Sequence, residues 1–289
     1  MAQKAAGTGP GPTLMVALEQ HLPENVRIVK DDLAHRILPF GSRVILWIKL
    51  RLMSVENMVT WTEKKMPGMW SGFMCRKRYI DDKVNEAVIS RVEAVVNLGA
   101  GFDTRVYRLA ALSGVPVWEV DQPGNIEAKR KRLRHILKKI PPNVTLVPID
   151  FDQEALNDLL TSNGYLPDVT TFFIWEAVTQ YLPETSIRAT FKFLETAPSG
   201  SRLIFTYIRK DFIEGTVLYG HTYLFENMVK KNIWRFGFDP DEIVHFLSGY
   251  GWRVLEHLGY DELAERYVKP TGRNLQSTPI ERIVYASRM

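Results

Sequence analysis

Asn97-Leu98-Gly99-Ala100-Gly101-Phe102-Asp103-Thr104 joins a strand pattern to a helix pattern through a glycine-containing turn. It continues residues 93–98, an apolar run typical of a buried strand, and it leads into residues 104–112, which have a helical pattern. Glycines let the backbone pass close to a ligand, and the first turn of a helix offers backbone N–H groups without partners. A lone Gly-x-Gly is equally compatible with an ordinary turn, so the neighbouring elements have to decide.

Strand and helix patterns alternate along the chain after this turn. The predicted strands are residues 93–98, 115–120, 144–149, 171–175 and 202–208, and the helices between them are residues 104–112, 125–139, 154–160 and 184–195. Alternation of this kind favours a parallel sheet with helices on both faces. A helix over 239–250 and two closing strands over 252–258 and 280–287 complete the predicted α/β core.

The remaining segments give one domain over residues 1–289, with its core at 91–289. Residues 1–12, rich in Ala, Gly and Pro, are predicted to be a disordered tail and not a signal peptide. Residues 13–90 lack strand patterns and are predicted to be a helical cap. Residues 209–238 break the alternation, and we predict an aromatic lid insertion there, on the ligand-binding side of the sheet.

Composition limits the partners and the compartment. The net charge is +4, and the basic run 129–134 has helical spacing typical of a solvated face, so no nucleic-acid partner is expected. The apolar stretch 37–53 is interrupted by Pro39, Gly41 and three basic residues, which favours an amphipathic helix packed on the domain and no membrane partner. A single cysteine, Cys75, allows no intramolecular disulfide, which is typical of a cytoplasmic protein.

Asp121 ends the second predicted strand, 20 residues after Gly101. An acidic side chain at this position accepts hydrogen bonds from ribose hydroxyls, whereas the alternative is a cap for the helix that follows. The spacing is common to nicotinamide-binding and adenosylmethionine-binding folds. Thr104 stands where a dinucleotide fold has its third glycine, which disfavours the nicotinamide cofactor.

Three further groups of residues carry weaker signals. Asp150-Phe151 follows the third strand, where it fits either an adenine site or a helix cap. Glu176, after the fourth strand, fits either an ammonium site or a surface carboxylate. Arg76-Lys77-Arg78 precedes the sheet; an arginine there forms a bidentate clamp for a carboxylate or belongs to a solvated basic turn.

Taken together, these segments resemble the leucine carboxyl methyltransferase family, in particular its bacterial small-molecule branch. The matching segments are Val29-Lys30-Asp31-Asp32-Leu33-Ala34, Arg76-Lys77-Arg78-Tyr79-Ile80-Asp81, residues 96–105, Glu119-Val120-Asp121-Gln122-Pro123, Asp150-Phe151 and residues 176–182. They occur in the family's order and span residues 29–289.

The resemblance implies a Rossmann-like, seven-stranded class I methyltransferase sheet with a helical N-terminal cap, and S-adenosyl-L-methionine as the cofactor. It implies that Arg78 binds the cofactor carboxylate and that Glu176 meets its amino group. The other implied cofactor contacts are Gly99, Ala100 and Gly101 under the methionine part, Asp121 and Gln122 at the ribose, and Asp150 and Phe151 at the adenine.

The chain departs from the family's pattern at two motif positions. Asp32 stands where the family usually has proline, and Ala177 stands where it commonly has glycine. The loss of that glycine is expected to reshape the pocket beside the amino group. A lysine typical of the protein phosphatase branch has no counterpart near the N-terminus, which favours a small molecule over a protein C-terminus as methyl acceptor.

These observations predict an O-methyltransferase that acts on a small carboxylate or hydroxyl compound without a metal. A carboxylate is already ionised at pH 7, whereas a hydroxyl acceptor needs a general base. The candidate catalytic residues are Tyr181, Tyr207 and His221, and Arg209, Tyr223 and Trp234 are candidates for holding the acceptor. The alternatives are a nicotinamide-dependent oxidoreductase and a non-catalytic protein that binds adenosylmethionine.

Overall fold

A computed structural model of the chain describes residues 10–149 and 154–289. Helices precede the sheet: α1 (Pro10–Glu19), α2 (Ala34–Ile37), α3 (Phe40–Leu52), α4 (Val55–Lys65) and α5 (Met69–Ile89). Helix α1 begins inside the predicted disordered tail, so residues 10–12 are helical instead. Proline is favourable in a first helical turn, because its fixed φ suits the helix and its missing N–H has no partner there.

A single sheet of seven strands runs through the described part of the chain. The strands are β1 (Ala94–Leu98), β2 (Val117–Asp121), β3 (Val144–Pro148), β4 (Thr171–Trp175), β5 (Arg202–Ile208), β6 (Trp252–Leu258) and β7 (Glu281–Arg288). Their order is β3-β2-β1-β4-β5-β7-β6, with β1 to β5 parallel and β7 antiparallel between β5 and β6. The predicted α/β class, the seven strands and the two closing strands are confirmed.

Both faces of the central strands β1, β4 and β5 are buried, which explains why these strands are almost continuously apolar. Along β4, Phe172 and Ile174 pack into one apolar cluster and Phe173 and Trp175 into another, because alternate side chains point to opposite faces. The first cluster includes residues of α1, α3, α4 and α5, so the N-terminal helices cover that face. The N-terminal helices and the sheet therefore share one hydrophobic core.

The helices between and after the strands are α6 (Arg105–Arg108), α7 (Pro123–Leu137), α8 (Leu156–Ser162), α9 (Glu184–Leu194), α10 (Lys210–Ile213), α11 (Thr222–Leu224), α12 (Ile243–Ser248) and α13 (Tyr260–Tyr267). Of the predicted helices, those over 104–112 and 239–250 are shorter in the structure, those over 125–139 and 154–160 are shifted by two residues, and the one over 184–195 ends one residue earlier. Helix α13, between the closing strands, was not predicted. It packs against α5.

The aromatic insertion after β5 folds back as a small apolar unit of its own. Phe212 of α10, Leu224 of α11 and Trp234, which follows a π-helical turn over Phe225–Val229, form a cluster with Ile208 and Ile280. Phe212 meets Phe225 and Trp234 edge to face. The insertion is therefore packed against the end of β5.

Candidate active site

A cleft opens at the carboxyl ends of β1, β2 and β4. The strand order reverses between β1 and β4, and ligands in open α/β sheets bind at such a switch point. The lining residues are Pro12, Thr13, Arg76, Lys77, Asn97, Gly99, Ala100, Gly101, Phe102, Asp103, Asp121, Gln122, Asn125, Glu176, Ala177, Val178, Tyr181 and Leu182. The predicted glycine turn and the ends of β2 and β4 therefore meet in one place.

The floor of the cleft is the glycine turn after β1. Gly99 has φ +72°, and a Cβ atom there would lie 2.3 Å from Cγ2 of Val178. Any side chain would therefore collide with the segment after β4, besides being strained at positive φ. The amides of Gly99 and Ala100 both donate to the carbonyl of Val120, which anchors the turn to β2.

Asp121 forms the wall of the cleft at the end of β2. Its Oδ2 accepts a hydrogen bond of 2.6 Å from the amide of Gly101, and its Oδ1 accepts bonds of 2.7 Å from the Gln122 amide and from Nδ2 of Asn125. The carboxylate is 7% exposed, with its orientation fixed by these donors. Since a carboxylate has about four acceptor sites, capacity remains for a ligand hydroxyl.

The opposite end of the cleft is strongly charged. Glu176 accepts hydrogen bonds from Nε of Arg76 at 2.8 Å and from Nη1 of Arg105 at 2.7 Å, and Nζ of Lys77 lies 3.6 Å away. Burial alone would raise the pKa of Glu176, but the charges of these three cations hold that pKa well below its usual range. Glu176 is therefore an anion at neutral pH, with acceptor sites to spare.

Arg105 joins the cleft to the N-terminal cap. Its buried guanidinium donates to Asp103 at 2.5 Å and to Asp81 of α5 at 2.8 Å, besides Glu176. Next to it, the hydroxyl of Thr104 donates to Asp31 at 2.6 Å. Segments that are far apart in sequence thus converge on one buried ion network that positions the cleft.

Ala177 has φ +56°, in the left-handed region where side chains other than glycine are strained. Its amide donates to Oγ1 of Thr206 on β5, which holds the peptide in this conformation. This geometry explains why a glycine is favourable at the position. The alanine keeps the turn and adds a methyl group beside Glu176.

Comparison with known proteins gives the family. The model of the leucine carboxyl methyltransferase family matches residues 11–195, which include the cap, the glycine turn, Asp121 and Glu176. The chain belongs to this family. The match covers the elements that build the cleft and ends before the aromatic insertion.

Relatives within the family are assigned by name to the S-adenosyl-L-methionine-dependent methyltransferases. A Streptomyces coelicolor protein is 30% identical over 205 residues, 71% of this chain and 68% of its own. The Bacillus subtilis protein YktD is 26% identical over 269 residues, 91% of this chain and 82% of its own.

Solved structures support the class I methyltransferase fold. A DUF574 family protein from Streptomyces avermitilis superposes with a TM-score of 0.56 at 12% identity, covering 82% of this chain and 91% of its own. A protein from Thermobifida fusca that is named as a methyltransferase gives a TM-score of 0.56 at 14% identity, covering 81% and 88%. At this level of identity the likeness concerns the fold alone.

The family's basic motif on α5 is placed differently from the prediction. Arg78 does not line the cleft: its side chain is 48% exposed, pairs with Asp82 at 3.0 Å and lies over the Tyr267 ring. Arg76 and Lys77 face the cleft instead. Successive helical residues are turned by about 100°, so Arg78 lies about 200° around α5 from Arg76 and points away from the cleft. The structure therefore places Arg76 and Lys77, and not Arg78, on the cleft.

Of the three candidate catalytic residues, the structure places Tyr181 on the cleft. Tyr207 is fully buried, with its hydroxyl 2.7 Å from Nε2 of His257. His221 is also buried, with Nε2 3.1 Å from Oγ1 of Thr278. Neither lies among the lining residues, so the roles predicted for Tyr207 and His221 are not supported.

The aromatic insertion does not reach the cleft in the described part of the chain. Arg209 pairs with Asp211 at 2.8 Å, Tyr223 is 55% exposed, and Trp234 is buried in the insertion's own cluster. None of them lines the cleft, so the predicted lid lies beside it. From the N-terminal segment, Pro12 and Thr13 of α1 line the cleft.

The remaining predicted cofactor residues divide into two groups. Gly99, Ala100, Gly101, Asp121, Gln122 and Glu176 all line the cleft. Asp150 and Phe151 lie outside the described residues, and their roles at the adenine stay predictions.

Sequence reasoning missed several lining residues. Pro12 and Thr13 were assigned to a tail and the start of the cap, and Asn125 to a solvated helix, with no motif to single them out. Lys77 did have a signal: Arg78 and Asp82 are spaced i, i+4, a pattern typical of an exposed ion pair, which turns Arg78 to solvent.

Proposed function

We propose that this protein transfers a methyl group from S-adenosyl-L-methionine to an oxygen atom of a small-molecule acceptor, either a carboxylate or a hydroxyl group. The activity as a methyltransferase follows from the family. The observation that supports the cofactor is the distribution of charge in one cleft, with Asp121 at one end and Glu176 with Lys77 at the other.

The two ends of the cleft match the two polar ends of this cofactor. Asp121 has an acceptor site for ribose hydroxyls, as acidic residues at this position do in nucleoside-binding sheets. Glu176 would meet the ammonium group and Lys77 the carboxylate, with Arg76 held beside them by Glu176 and Glu281. The glycine turn lies between these ends, and the absence of a side chain at Gly99 lets Val178 pack directly against its backbone.

When bound, the cofactor supplies a methyl group on a positively charged sulfur. The chemistry that it would supply is an in-line displacement at the methyl carbon, with the acceptor oxygen as nucleophile and the sulfur, which keeps the electron pair, as leaving group. The protein's part is to hold both partners in this alignment and to exclude water. Pro12, Thr13 and Tyr181 form the walls that would enclose the reacting groups.

The acceptor determines whether proton transfer is needed. A carboxylate reacts in the ionised state that it already has at neutral pH, so the cleft needs no base. A hydroxyl acceptor must lose a proton, and Tyr181 is the candidate catalytic residue that the cleft contains. The absence of His221 and Tyr207 from the lining favours the carboxylate.

The nicotinamide alternative is disfavoured by both family and structure. Thr104, in place of the third glycine, is buried and donates its hydroxyl to Asp31. That contact belongs to the ion network that joins the cap and the core, so the position serves packing between them.

The other alternative is a protein that binds adenosylmethionine without transferring its methyl group. Such a protein would bind the cofactor and leave every acceptor unmodified.

The test is an acceptor panel with radiolabelled S-adenosyl-L-methionine, containing carboxylic acids, phenols, alcohols and amines. We expect label on oxygen acceptors. Label released by mild alkali indicates a methyl ester, and label that resists alkali indicates an ether. Transfer to amines alone would contradict oxygen specificity, and binding without any transfer would favour the non-catalytic alternative.

A further inference from the structure

Helix α3 exposes most of its apolar side chains. Phe40 and Leu52 are each 79% exposed and Trp47 is 58% exposed, whereas Leu46 is buried. The exposed apolar residues of this helix are Phe40, Val44, Ile45, Trp47, Ile48 and Leu52, here called the α3 apolar face. A soluble domain has no reason to present this many large apolar groups on one helix unless something binds them.

The residues of the α3 apolar face are adjacent on the helix surface. Phe40, Val44, Ile48 and Leu52 are spaced four residues apart and form one ridge, with Ile45 and Trp47 on either side of it. At about 100° per residue, the six side chains cover an arc of about 160°. The buried Leu46 lies on the opposite side, where α3 packs against α1.

Cations flank this face, and no acidic residue occurs in α3. On the helical projection Arg43 and Lys49 border the arc on its two sides. The guanidinium of Arg51 lies 4.9 Å from the centre of the Trp47 ring. On the next helix, Trp61 is 50% exposed, with Nζ of Lys65 4.2 Å from its ring centre. On α3, apolar groups, an exposed aromatic ring and cations thus share one side of the helix.

We propose that the α3 apolar face binds the surface of an anionic lipid membrane, with α3 lying in the plane of the interface. Helices of this composition insert their apolar side among the lipid chains while their cations meet the headgroups. The proposal replaces the expectation, from sequence, of no membrane partner. Among the described residues, no helix has the length and apolar character needed to cross a bilayer.

Charge complementarity favours a lipid surface over a second copy of the chain. Two α3 helices placed face to face would bring Arg43, Lys49 and Arg51 of each copy together without a carboxylate from either helix. Like charges in such a contact are unfavourable, whereas anionic headgroups neutralise all three.

The test is sedimentation with vesicles of phosphatidylcholine alone or mixed with phosphatidylglycerol. We expect binding to the anionic vesicles that weakens as salt is raised. Ile48→Glu should reduce it by about tenfold or more, since it removes one inserted aliphatic side chain and adds a negative charge. The matched control is Val244→Glu, a change at a 55% exposed apolar residue of α12, which should leave binding unchanged.

A second measurement reports which part of the chain touches lipid. Trp47 and Trp61 are the exposed tryptophans, and the other five are buried. Lipids that carry a bromine quencher should therefore reduce the fluorescence of these two alone, and Trp47→Phe should lose part of the quenching while still binding.

Three results would overturn the proposal. The first is no binding to anionic vesicles, and the second is an equal decrease in vesicle binding for Ile48→Glu and Val244→Glu. The third is self-association of the native protein, measured by light scattering, that Ile48→Glu abolishes. The last would assign the face to a second copy of the chain. None of these readouts requires methyl transfer, so they are independent of the proposed activity.

Discussion

At the scale of single residues, the cleft depends on two left-handed backbone conformations, at Gly99 after β1 and at Ala177 after β4. The glycine turn was predictable, because Gly99 lies between a strand and a helix pattern. The left-handed conformation of Ala177 was not, although the family's preference for glycine there pointed to it. A hydrogen bond from its amide to Thr206 on β5 holds this strained conformation. No local sequence pattern reveals that partner, because it lies on another strand.

Ala177→Gly should therefore stabilise the protein or leave its stability unchanged. Relief of a left-handed alanine contributes about 1 kcal/mol, which offsets the entropy that glycine loses on folding. The matched control is Ala189→Gly at an exposed position of α9, where the change should cost about 1 kcal/mol. Urea unfolding measures the free energy of unfolding of both variants. An equal decrease for the two would show that the alanine at position 177 is not strained.

The corrected basic motif gives a second prediction at this scale. Lys77→Ala should weaken cofactor binding by about tenfold, the effect of losing one charged hydrogen bond, while Arg78→Ala should not change it. Binding of 5′-methylthioadenosine, which lacks the amino-acid part, should be the same in both variants. Calorimetry with the two ligands measures this. If only Arg78→Ala weakened the binding of S-adenosyl-L-methionine, Arg78 would be the residue that binds the cofactor carboxylate.

At the scale of elements, strand positions followed from the apolar pattern, because a parallel sheet buried on both faces needs continuous apolar runs. Contacts between elements did not follow from it. Arg105 meets Asp81 of α5 and Glu176 after β4, and these partners are 24 and 71 residues away in the chain. Their motifs were visible, but their convergence on one buried guanidinium required the fold.

Arg105→Met should lower the free energy of unfolding by about 3–5 kcal/mol, because it leaves buried carboxylates without their cation. The control is Arg130→Met on α7, whose side chain is 33% exposed and pairs with Glu127, and whose loss should cost less than about 1 kcal/mol. Urea unfolding without cofactor compares the two. If both variants lowered the free energy of unfolding by a similar small amount, the ion network would contribute little to holding the cap on the core.

At the scale of the whole molecule, the ion network makes stability depend on pH. Burial would raise the pKa of Asp103, but Arg105 and Lys77 outweigh it and lower that pKa to about 2 from 3.8. A carboxyl whose pKa is lower in the folded state stabilises the protein above its unfolded pKa, and this contribution is lost as the pH falls toward the folded value.

Asp103→Asn should therefore be less stable than the native protein at neutral pH. The difference in unfolding free energy should be constant down to about pH 5 and should narrow between about pH 4 and pH 2. Urea unfolding at a series of pH values measures it. A difference that stays constant through this range would show that Asp103 does not stabilise the fold through its charge.

Calorimetry will show whether this cleft binds S-adenosyl-L-methionine through Asp121. Native protein should bind S-adenosyl-L-methionine and S-adenosylhomocysteine. Asp121→Ala should bind both at least about tenfold more weakly, since it removes charged hydrogen bonds to the ribose. Asp158→Ala, at an exposed aspartate of α8, should bind as the native protein does. Undiminished binding by Asp121→Ala, or binding of NAD in place of both ligands by the native protein, would contradict the account.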